Sequence, residues 1–232
     1  MLGVIKAVGF DIGHTLIYYN NPLNWSSLYR PALGQVLRDC GMACSDWKIE
    51  SAIPILTKYN TRVNYRETEI SSDVLFGEIF DAWSEEHSCL DKAKESFYGF
   101  FQADAVPFAE AEAVLSKLKS LKLKIGALTD VAYGMDNCFS LKDIEPISQY
   151  IDVVLTSRDV GFRKPNDAGF RMLLEALTVR PDEVLYVGDE EKDIVGANKL
   201  GIGSALINRG NEEIDFGQKY TVRSLEEVVS IL

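Results

Sequence analysis

Hydrophobic residues recur with two different periods along the chain, and the change of period predicts how the chain is organised. Residues 4–10 form a short, β-branched apolar run that is typical of a buried strand, and Asp11 follows it directly. From about residue 18 to residue 104, apolar residues recur at helical spacing and strand-like runs are rare. This stretch therefore predicts a helical block of about four helices, roughly at 24–40, 45–60, 69–86 and 90–102.

Two of these predicted helices carry a clear apolar stripe. In each of them, apolar side chains three and four residues apart share one helix face, which we expect to pack into a core. The stripe of the first helix contains Leu28, Leu33, Val36 and Leu37, and that of the third contains Ile70, Val74, Leu75, Ile79 and Trp83.

After about residue 105 the pattern alternates between strand and helix. Pro107 is expected to open a helix whose inner face carries Ala111, Val114, Leu115 and Leu118. Alternation of this kind predicts an α/β core with a doubly wound parallel sheet. The predicted strands are 124–128, 151–156, 184–189 and 203–207, and the predicted helices that follow them are about 133–142, 166–177, 191–200 and 223–231.

The two patterns together predict an all-helical domain inserted after the first strand of an α/β domain. The predicted core comprises residues 1–17 and 105–232, and the predicted helical cap comprises residues 18–104. Hinges are expected near 17–22 and 103–107, with a crevice between core and cap. In open α/β sheets, ligands bind beyond the carboxyl ends of the strands.

Composition and charge limit the kinds of partner that we expect this protein to bind. The formal net charge is −11, which disfavours binding to nucleic acid. No apolar run is long enough to span a membrane, and the N-terminal apolar run is too short for a signal peptide. Four cysteines without a C-x-x-C pair favour free thiols in a reducing cytoplasm over a zinc site. The sequence leaves the oligomeric state open.

Four short segments at predicted strand ends carry candidate chemistry. Asp11 lies in FDIGHTL, Thr129 in ALTD, Lys164 in GFRKPNDAGF, and Asp189 and Asp193 in VLYVGDEEKDIVGA. Taken singly, Asp11 could equally be a turn former, and Thr129 is uninformative. Lys164 could be a surface charge, although the proline that follows it slightly favours a positioned role, and helix capping is the weaker interpretation of Asp189 and Asp193. The crowded carboxylates at 189–193, however, favour a hard cation, and oxygen ligands of this kind suit Mg²⁺.

In this order, the four segments resemble the motifs of the haloacid dehalogenase superfamily, and the helical insert is similar to that family's C1-type cap. The resemblance implies that Asp11 is a nucleophile that forms an aspartyl-phosphate. It implies that Thr129 hydrogen-bonds the phosphoryl group and that Lys164 neutralises its charge. Asp130, next to Thr129, is included with these two residues among those expected to bind substrate.

A Mg²⁺ site follows from the same resemblance. Asp11, the backbone carbonyl of Gly13 and Asp189 are its expected ligands, with Asp193 as a further ligand or as a support for them. The function implied is phosphoryl transfer from a small phosphorylated metabolite, without nucleic acid or membrane as partner.

One position departs from the family pattern. Phosphatases of the family carry a second Asp two residues after the nucleophile, as general acid and base, and here that position is Gly13. General acid–base help is worth roughly 10²–10⁴-fold, so a slow enzyme is expected. His14 could substitute for it, although a loop residue with an unusual backbone angle is the stronger interpretation.

Three alternatives therefore stay open. Phosphonate-cleaving relatives use a cap lysine as a Schiff base, a role for which Lys48 and Lys58 are available. Haloacid dehalogenases also lack the second Asp, but their fourth motif lacks the acidic pair that Asp189 and Asp193 form here. A catalytically degenerate member that binds a phosphate ligand or a protein is the third.

Overall fold

The computed structural model describes residues 4–102 and 105–232. It divides into two compact units, each with its own packing. The first unit comprises Met1–Tyr18, Val106–Asp130 and Asp143–Leu232, and the second comprises Tyr19–Ala105 and Val131–Lys142. The predicted boundary at residue 104, and part of the hinge predicted at 103–107, lie outside the described residues.

Eight strands and ten α-helices occur in the described residues, together with several 3₁₀ helices, one of which is the ten-residue Leu141–Tyr150. The strands are β1 (Ala7–Phe10), β2 (Ile17–Tyr19), β3 (Ala105–Pro107), β4 (Lys124–Thr129), β5 (Val153–Thr156), β6 (Val184–Gly188), β7 (Gly203–Ile207) and β8 (Tyr220–Val222). The helices are α1 (Tyr29–Asp39), α2 (Asp46–Tyr59), α3 (Ser72–Trp83), α4 (Leu90–Gln102), α5 (Ala111–Ser120), α6 (Asn137–Ser140), α7 (Ser157–Val160), α8 (Ala168–Leu177), α9 (Glu191–Lys199) and α10 (Leu225–Ser230).

A six-stranded parallel sheet is the centre of the first unit. Its strand order is β5-β4-β1-β6-β7-β8, so the chain starts in the middle, builds one side and then returns to build the other. Phe10 of β1 pairs with Ala127 of β4 on one side and with Val187 of β6 on the other. The carboxyl ends of β4, β1 and β6 therefore meet at the point where the strand order reverses, which is where such sheets bind ligands. The predicted parallel α/β core is confirmed.

Both faces of this sheet are covered by helices, which explains why its strands read as continuous apolar runs rather than alternating ones. Every residue of β1, β6 and β7 is buried. On one face, Phe170, Leu173 and Leu177 of α8 pack with Tyr186 of β6 and Leu128 of β4 in a single apolar cluster.

Helices α1 to α4 form the second unit around an aromatic core. The ring of Trp25 stacks on that of Phe101 with centroids 3.8 Å apart, and Phe97 meets Phe76 edge to face at 5.6 Å. Helix α1 packs against both α2 and α4 in this arrangement. None of the described helices combines the length and the apolar composition that crossing a bilayer requires.

The structure differs from the sequence-based prediction at residues 131–142. In place of one helix at 133–142 packed on the α/β core, this segment contains a 3₁₀ turn and α6, and it belongs to the second unit. Tyr133 and Gly134 both have positive φ angles, of 51° and 67°, which interrupt a helix. A Cβ at Gly134 would lie 2.7 Å from the carbonyl oxygen of Ile70, so the chain passes too close for a side chain.

Three short strands were not predicted. The strands β2 and β3 form a separate two-stranded sheet, and β8 is the edge strand next to β7. The prediction that Pro107 opens a helix is wrong, because Pro107 ends β3 and α5 begins only at Ala111. Strands of three residues are too short to show a period, which is why the pattern misses them.

Candidate active site

Three neighbouring strands place the candidate residues at one edge of the sheet. Asp11 follows β1, Thr129 ends β4, and Asp189 follows Gly188 at the end of β6. The backbone N–H of Asp11 donates to the carbonyl oxygen of Val187 at 2.9 Å, which continues the β1–β6 pairing by one residue. Sheet register alone therefore brings Asp11 beside Asp189.

Lys164 lies at the centre of this group. Its Nζ donates to Asp11 Oδ1 and to Asp193 Oδ1, both at 2.6 Å, and to the carbonyl oxygen of Leu128 at 3.0 Å. An ammonium has three protons, and these three acceptors match them. Burial opposes the charged form of Lys164, but the charges of Asp11 and Asp193 outweigh it, so the pKa of the ammonium is raised well above its ordinary value.

Tyr186 supports this lysine from within β6. Its side chain is fully buried, its hydroxyl donates to the same Leu128 carbonyl at 2.8 Å, and the hydroxyl oxygen lies 3.4 Å from Lys164 Nζ. The Tyr186 ring packs edge to face on that of Phe170 at 4.9 Å. The hydroxyl is thus held under Lys164 by a rigid strand and by a well-packed ring.

Asp11, Asp189 and Asp193 form a cluster of carboxylates. Each can offer one ligand oxygen such that all three atoms lie within 4.8 Å of one another. Burial, followed by the negative charges of Asp11 and Asp193, raises the pKa of Asp189 to about 8. Burial likewise raises the pKa of Asp193 to about 6, although Lys164 opposes this shift. One lysine does not neutralise three carboxylates, of which Asp11 and Asp193 are buried and Asp189 is half-buried. An oxygen-only set of this kind fits a hard divalent cation such as Mg²⁺.

Asp193 differs from its neighbours because both of its oxygens have protein partners. Oδ1 accepts from Lys164, and Oδ2 accepts from the backbone N–H of Glu190 at 3.1 Å. Gly188 permits this arrangement, since a Cβ there would lie 2.4 Å from Asp193 Cβ. The geometry favours the supporting role among the two expected for Asp193, because its oxygens already hold Lys164 and the start of α9.

Asp130 is also engaged by the protein. Its Oδ1 accepts from the backbone N–H of Lys164 at 3.0 Å, and its Oδ2 lies 3.1 Å from Lys192 Nζ, which in turn lies 2.8 Å from Glu190 Oε2. Burial opposes ionisation of Asp130, but Lys192 and Lys164 outweigh it and lower its pKa. These contacts fix the turn after Thr129 relative to Lys164 and to the start of α9.

The segment after Asp11 forms a tight loop that contains Gly13 and His14. The backbone N–H groups of Thr15, Leu16 and Ile17 all donate to the carbonyl oxygen of Ile12, at 3.3, 2.9 and 3.1 Å. His14 has a φ of 56°, the unusual backbone angle expected from the sequence. The hydroxyl of Thr15, which is fully buried, donates to Asp189 Oδ1 at 3.4 Å and so links the loop to the carboxylate cluster.

The sequence-based prediction did not include Thr15, Tyr186 or Lys192. For two of them, the sequence contains a feature that indicates a role in the site. Thr15 is a hydroxyl residue four positions after the nucleophile, and Tyr186 is the only polar-tipped residue in the apolar strand VLYVG. A buried tyrosine hydroxyl needs a partner, which suggests polar surroundings in advance. Lys192 gave no such signal, because a lysine in the first turn of a helix is ordinarily a solvated charge.

Comparison with known proteins identifies the family. The family model described as haloacid dehalogenase-like hydrolase matches residues 55–207 of this chain. The matched range is more than half of the chain and contains Thr129, Lys164, Asp189 and Asp193, whereas Asp11 and Gly13 precede it. This chain belongs to the haloacid dehalogenase-like hydrolases.

Several relatives are named as phosphatases. The glyceraldehyde 3-phosphate phosphatase of Methanothermobacter thermautotrophicus is 27% identical over 214 residues, which cover 88% of this chain and 86% of that protein. The enzyme of the same name from Methanocaldococcus jannaschii is 33% identical over 135 residues, covering 54% and 56%. The match thus spans just over half of the second relative. A solved HAD phosphatase from Thermococcus onnurineus superposes with a TM-score of 0.67 at 23% identity, covering 98% of this chain and 97% of that one, which shows a shared fold.

Proposed function

We propose that this chain is a Mg²⁺-dependent phosphatase that acts on a small phosphorylated metabolite through an aspartyl-phosphate on Asp11. The observation that carries the proposal is the placement of the Asp11 carboxylate. It lies 2.6 Å from Lys164 Nζ and shares a potential cation site with Asp189 and Asp193. A carboxylate can approach a phosphoryl group only where the repulsion between the two anions is cancelled, and this arrangement supplies the cancelling charges.

The chemistry requires two displacements at phosphorus. In the first, a carboxylate oxygen of Asp11 attacks phosphorus, and the bond from phosphorus to the leaving oxygen breaks, so that this oxygen departs with the electron pair. In the second, water attacks the aspartyl-phosphate, its proton is lost to solvent, and the bond between phosphorus and Asp11 breaks to release phosphate.

Each remaining residue has a defined part in these steps. Lys164, held charged by Asp11 and Asp193, neutralises the phosphoryl oxygens, and the hydroxyl of Thr129 donates a hydrogen bond to one of them. Asp11, the Gly13 carbonyl and Asp189 would hold Mg²⁺, with Asp193 in support. The bound cation would stabilise negative charge on the nucleophile and on the phosphoryl group.

Gly13 restricts which leaving groups can depart in the first step. It has no side chain to protonate a departing alkoxide or to activate water, so the first step favours leaving groups that depart without a proton. Aryl and acyl phosphates meet that condition better than alkyl phosphates do. Dephosphorylation is expected to be slow for the same reason, and aspartyl-phosphate is expected to accumulate.

The lysines of the second unit argue against phosphonate cleavage. A Schiff base forms from a neutral amine. A hydrogen bond to Glu78, followed by one to Tyr59, raises the pKa of Lys58, which keeps that group charged. Lys48 is buried in an ion pair with Glu85 at 2.5 Å, and its Nζ lies 5.9 Å from the centre of the Trp83 ring. The Nζ of each lysine is engaged by a carboxylate, Glu85 for Lys48 and Glu78 for Lys58, rather than presented to a substrate carbonyl.

The proposal is tested with wild type, Asp11→Asn and Gly13→Asp on aryl and alkyl phosphates, with and without Mg²⁺. Asp11→Asn should lower turnover on the order of 10⁴-fold, because it removes the nucleophile. Gly13→Asp should raise alkyl-phosphate turnover, by up to roughly 10²–10⁴-fold. Trapping of phosphate on Asp11 by acid quench and mass spectrometry checks the intermediate. Wild-type activity in Asp11→Asn would refute the proposal.

A further inference from the structure

Arg209 lies outside every motif described above, yet it contacts the loop that carries Gly13. It follows β7 in the sequence Asn208-Arg209-Gly210. One guanidinium nitrogen, Nη1, donates to Glu110 Oε1 at 2.7 Å, and the other, Nη2, donates to the carbonyl oxygen of Thr15 at 3.5 Å. Its guanidinium carbon lies 3.6 Å from the centre of the Phe108 ring.

The partners of Arg209 are themselves tied to the segment after Gly13. The backbone N–H of Phe108 donates to the carbonyl oxygen of Leu16 at 3.0 Å, and the Phe108 ring contacts that of Tyr18 at 5.3 Å. Arg209 therefore holds residues 15–18 both directly and through Phe108. A planar guanidinium can stack on a ring while donating to two separate acceptors, which a lysine cannot do.

Thr15 transmits this restraint to the carboxylate cluster. Its carbonyl oxygen accepts from Arg209, and its hydroxyl donates to Asp189 Oδ1. The same residue thus joins Arg209 to a proposed cation ligand, and Gly13, whose carbonyl is another, lies two residues earlier. The backbone around Arg209 is also restrained, because the N–H of Asn208 donates to the carbonyl of Val222 at 2.8 Å.

We propose that Arg209 is a positioning residue for the cation site, holding the loop of residues 13–17 so that the Gly13 carbonyl and Asp189 lie where the cation binds. This inference rests on the proposed function for the identity of the cation. Residues that orient metal ligands typically change metal affinity by 10–100-fold when they are removed. Arg209 acts only through the loop, so once Mg²⁺ is saturating the KM for the substrate should be little affected.

The test compares Arg209→Met, Arg209→Lys and Glu110→Gln with wild type. Arg209→Met keeps the apolar stem and loses both hydrogen bonds, whereas Arg209→Lys keeps the stem and the charge but loses the planar, forked guanidinium. Arg171→Met is the matched control, because Arg171 pairs with Asp167 at the surface of the same unit at 2.8 Å. Mg²⁺ affinity is measured by calorimetry, and backbone hydrogen exchange of residues 13–17 is measured in metal-free protein.

Arg209→Met should weaken Mg²⁺ binding by about 10–100-fold and speed exchange at residues 13–17 selectively. The lysine and Glu110→Gln variants should show smaller changes in the same direction, and Arg171→Met none. Activity on para-nitrophenyl phosphate should return towards the wild-type value in Arg209→Met as Mg²⁺ is raised, with KM for the ester unchanged. A purely structural defect would not be rescued in this way.

Wild-type affinity and wild-type exchange in Arg209→Met would overturn the inference. So would faster exchange spread uniformly over the chain, since this would show a global loss of stability. If wild type itself binds no Mg²⁺, the proposed function fails, while the exchange comparison in metal-free protein still decides whether Arg209 holds the loop. Should Arg209→Met not fold, Arg209→Lys and Glu110→Gln carry the same comparison.

Discussion

Each unit contains a buried lysine that pairs with several aspartates, and the two clusters differ in how far their aspartates are exposed to solvent. Lys164 is 1% exposed, and its partners Asp11 and Asp193 are 8% and 0% exposed. Lys94 is nearly as buried at 7%, but its partner Asp73 is 66% exposed, Asp91 fully so, and Asp136 30%. Water reaches all three carboxylates beside Lys94, whereas the protein alone must balance Asp11 and Asp193 beside Lys164.

This difference in solvation decides what each cluster can do. Burial opposes the charge of both lysines, and in both cases the neighbouring carboxylates outweigh it and raise the pKa. At Lys164, burial and then the surrounding negative charge also raise the pKa of two nearby carboxyl groups, that of Asp189 to about 8 and that of Asp193 to about 6. Buried carboxylates in excess of the cations around them are the condition under which a site attracts a metal ion or a cationic group.

Removing the two lysines in turn tests the comparison most strongly. Lys164→Met should destabilise the protein by about 3–5 kcal/mol, because it leaves buried carboxylates without their cation. The same change should lower kcat by at least about 10²–10³-fold. Lys94→Met should cost about 1 kcal/mol or less, since its partners remain solvated, and should leave kcat unchanged. Urea unfolding and steady-state kinetics measure both effects.

Equal destabilisation by the two substitutions would show that exposure of the partner carboxylates is not the deciding factor. Normal turnover in a folded Lys164→Met variant would instead remove Lys164 from the reaction. Both variants replace lysine by methionine, so the change in side-chain volume is the same at the two positions.

A smaller effect is expected from removing the Tyr186 hydroxyl, which lies next to Lys164. Tyr186→Phe removes the hydrogen bond to the Leu128 carbonyl and a polar atom 3.4 Å from Lys164 Nζ, at a cost of about 1 kcal/mol. Lys164 keeps its three acceptors, so kcat should fall only several-fold. Tyr150→Phe is the control, because the Tyr150 hydroxyl donates to Glu112 at the surface of the same unit, at 3.0 Å. Thermal unfolding and kcat are compared for the two variants, and identical effects would mean that burial of the hydroxyl has no consequence.

How much of this could be predicted from sequence depends on how far apart the contacting residues lie. Asp11, Thr129 and Asp189 each directly end or follow a strand, so the parallel-sheet pattern itself predicts that they meet. Lys164 comes from a loop, and its place rested on the family resemblance. Arg209 was missed, because its contacts with Thr15 and Glu110 span 194 and 99 residues and no local pattern encodes them.

The packing of the second unit was also only partly predictable from the sequence. The apolar stripe predicted for α3 includes Val74, which is 49% exposed, and omits Phe76 and Phe80, which are buried. Helix α3 is apolar on most of its circumference, so the period alone does not decide which side faces the core. The break at Tyr133 and Gly134 was also invisible, since it depends on the close approach of the Ile70 backbone.

The thiol of Cys40 allows the same comparison for an acidic group in the second unit, where burial outweighs the nearby positive charge. Burial, followed by a hydrogen bond with Cys89, raises the pKa of Cys40 to about 12, although the nearby Lys92 opposes this shift. The thiolate is the reactive form, and a thiol pKa of about 12 instead of 9.0 lowers the thiolate fraction at pH 8 by about 10³-fold. Iodoacetamide at pH 8 should therefore modify Cys44 and Cys138, which are exposed, well before Cys40. The rate at Cys40 should rise with pH towards about 12 for as long as the fold persists, and all four cysteines should react at similar rates in urea. Peptide mass spectrometry over a time course measures each site separately. If Cys40 in the folded protein reacts as fast as Cys44, then burial in the second unit does not suppress ionisation of the thiol. The contrast with the carboxylates around Lys164, whose charge that lysine balances in part, would then have no physical basis.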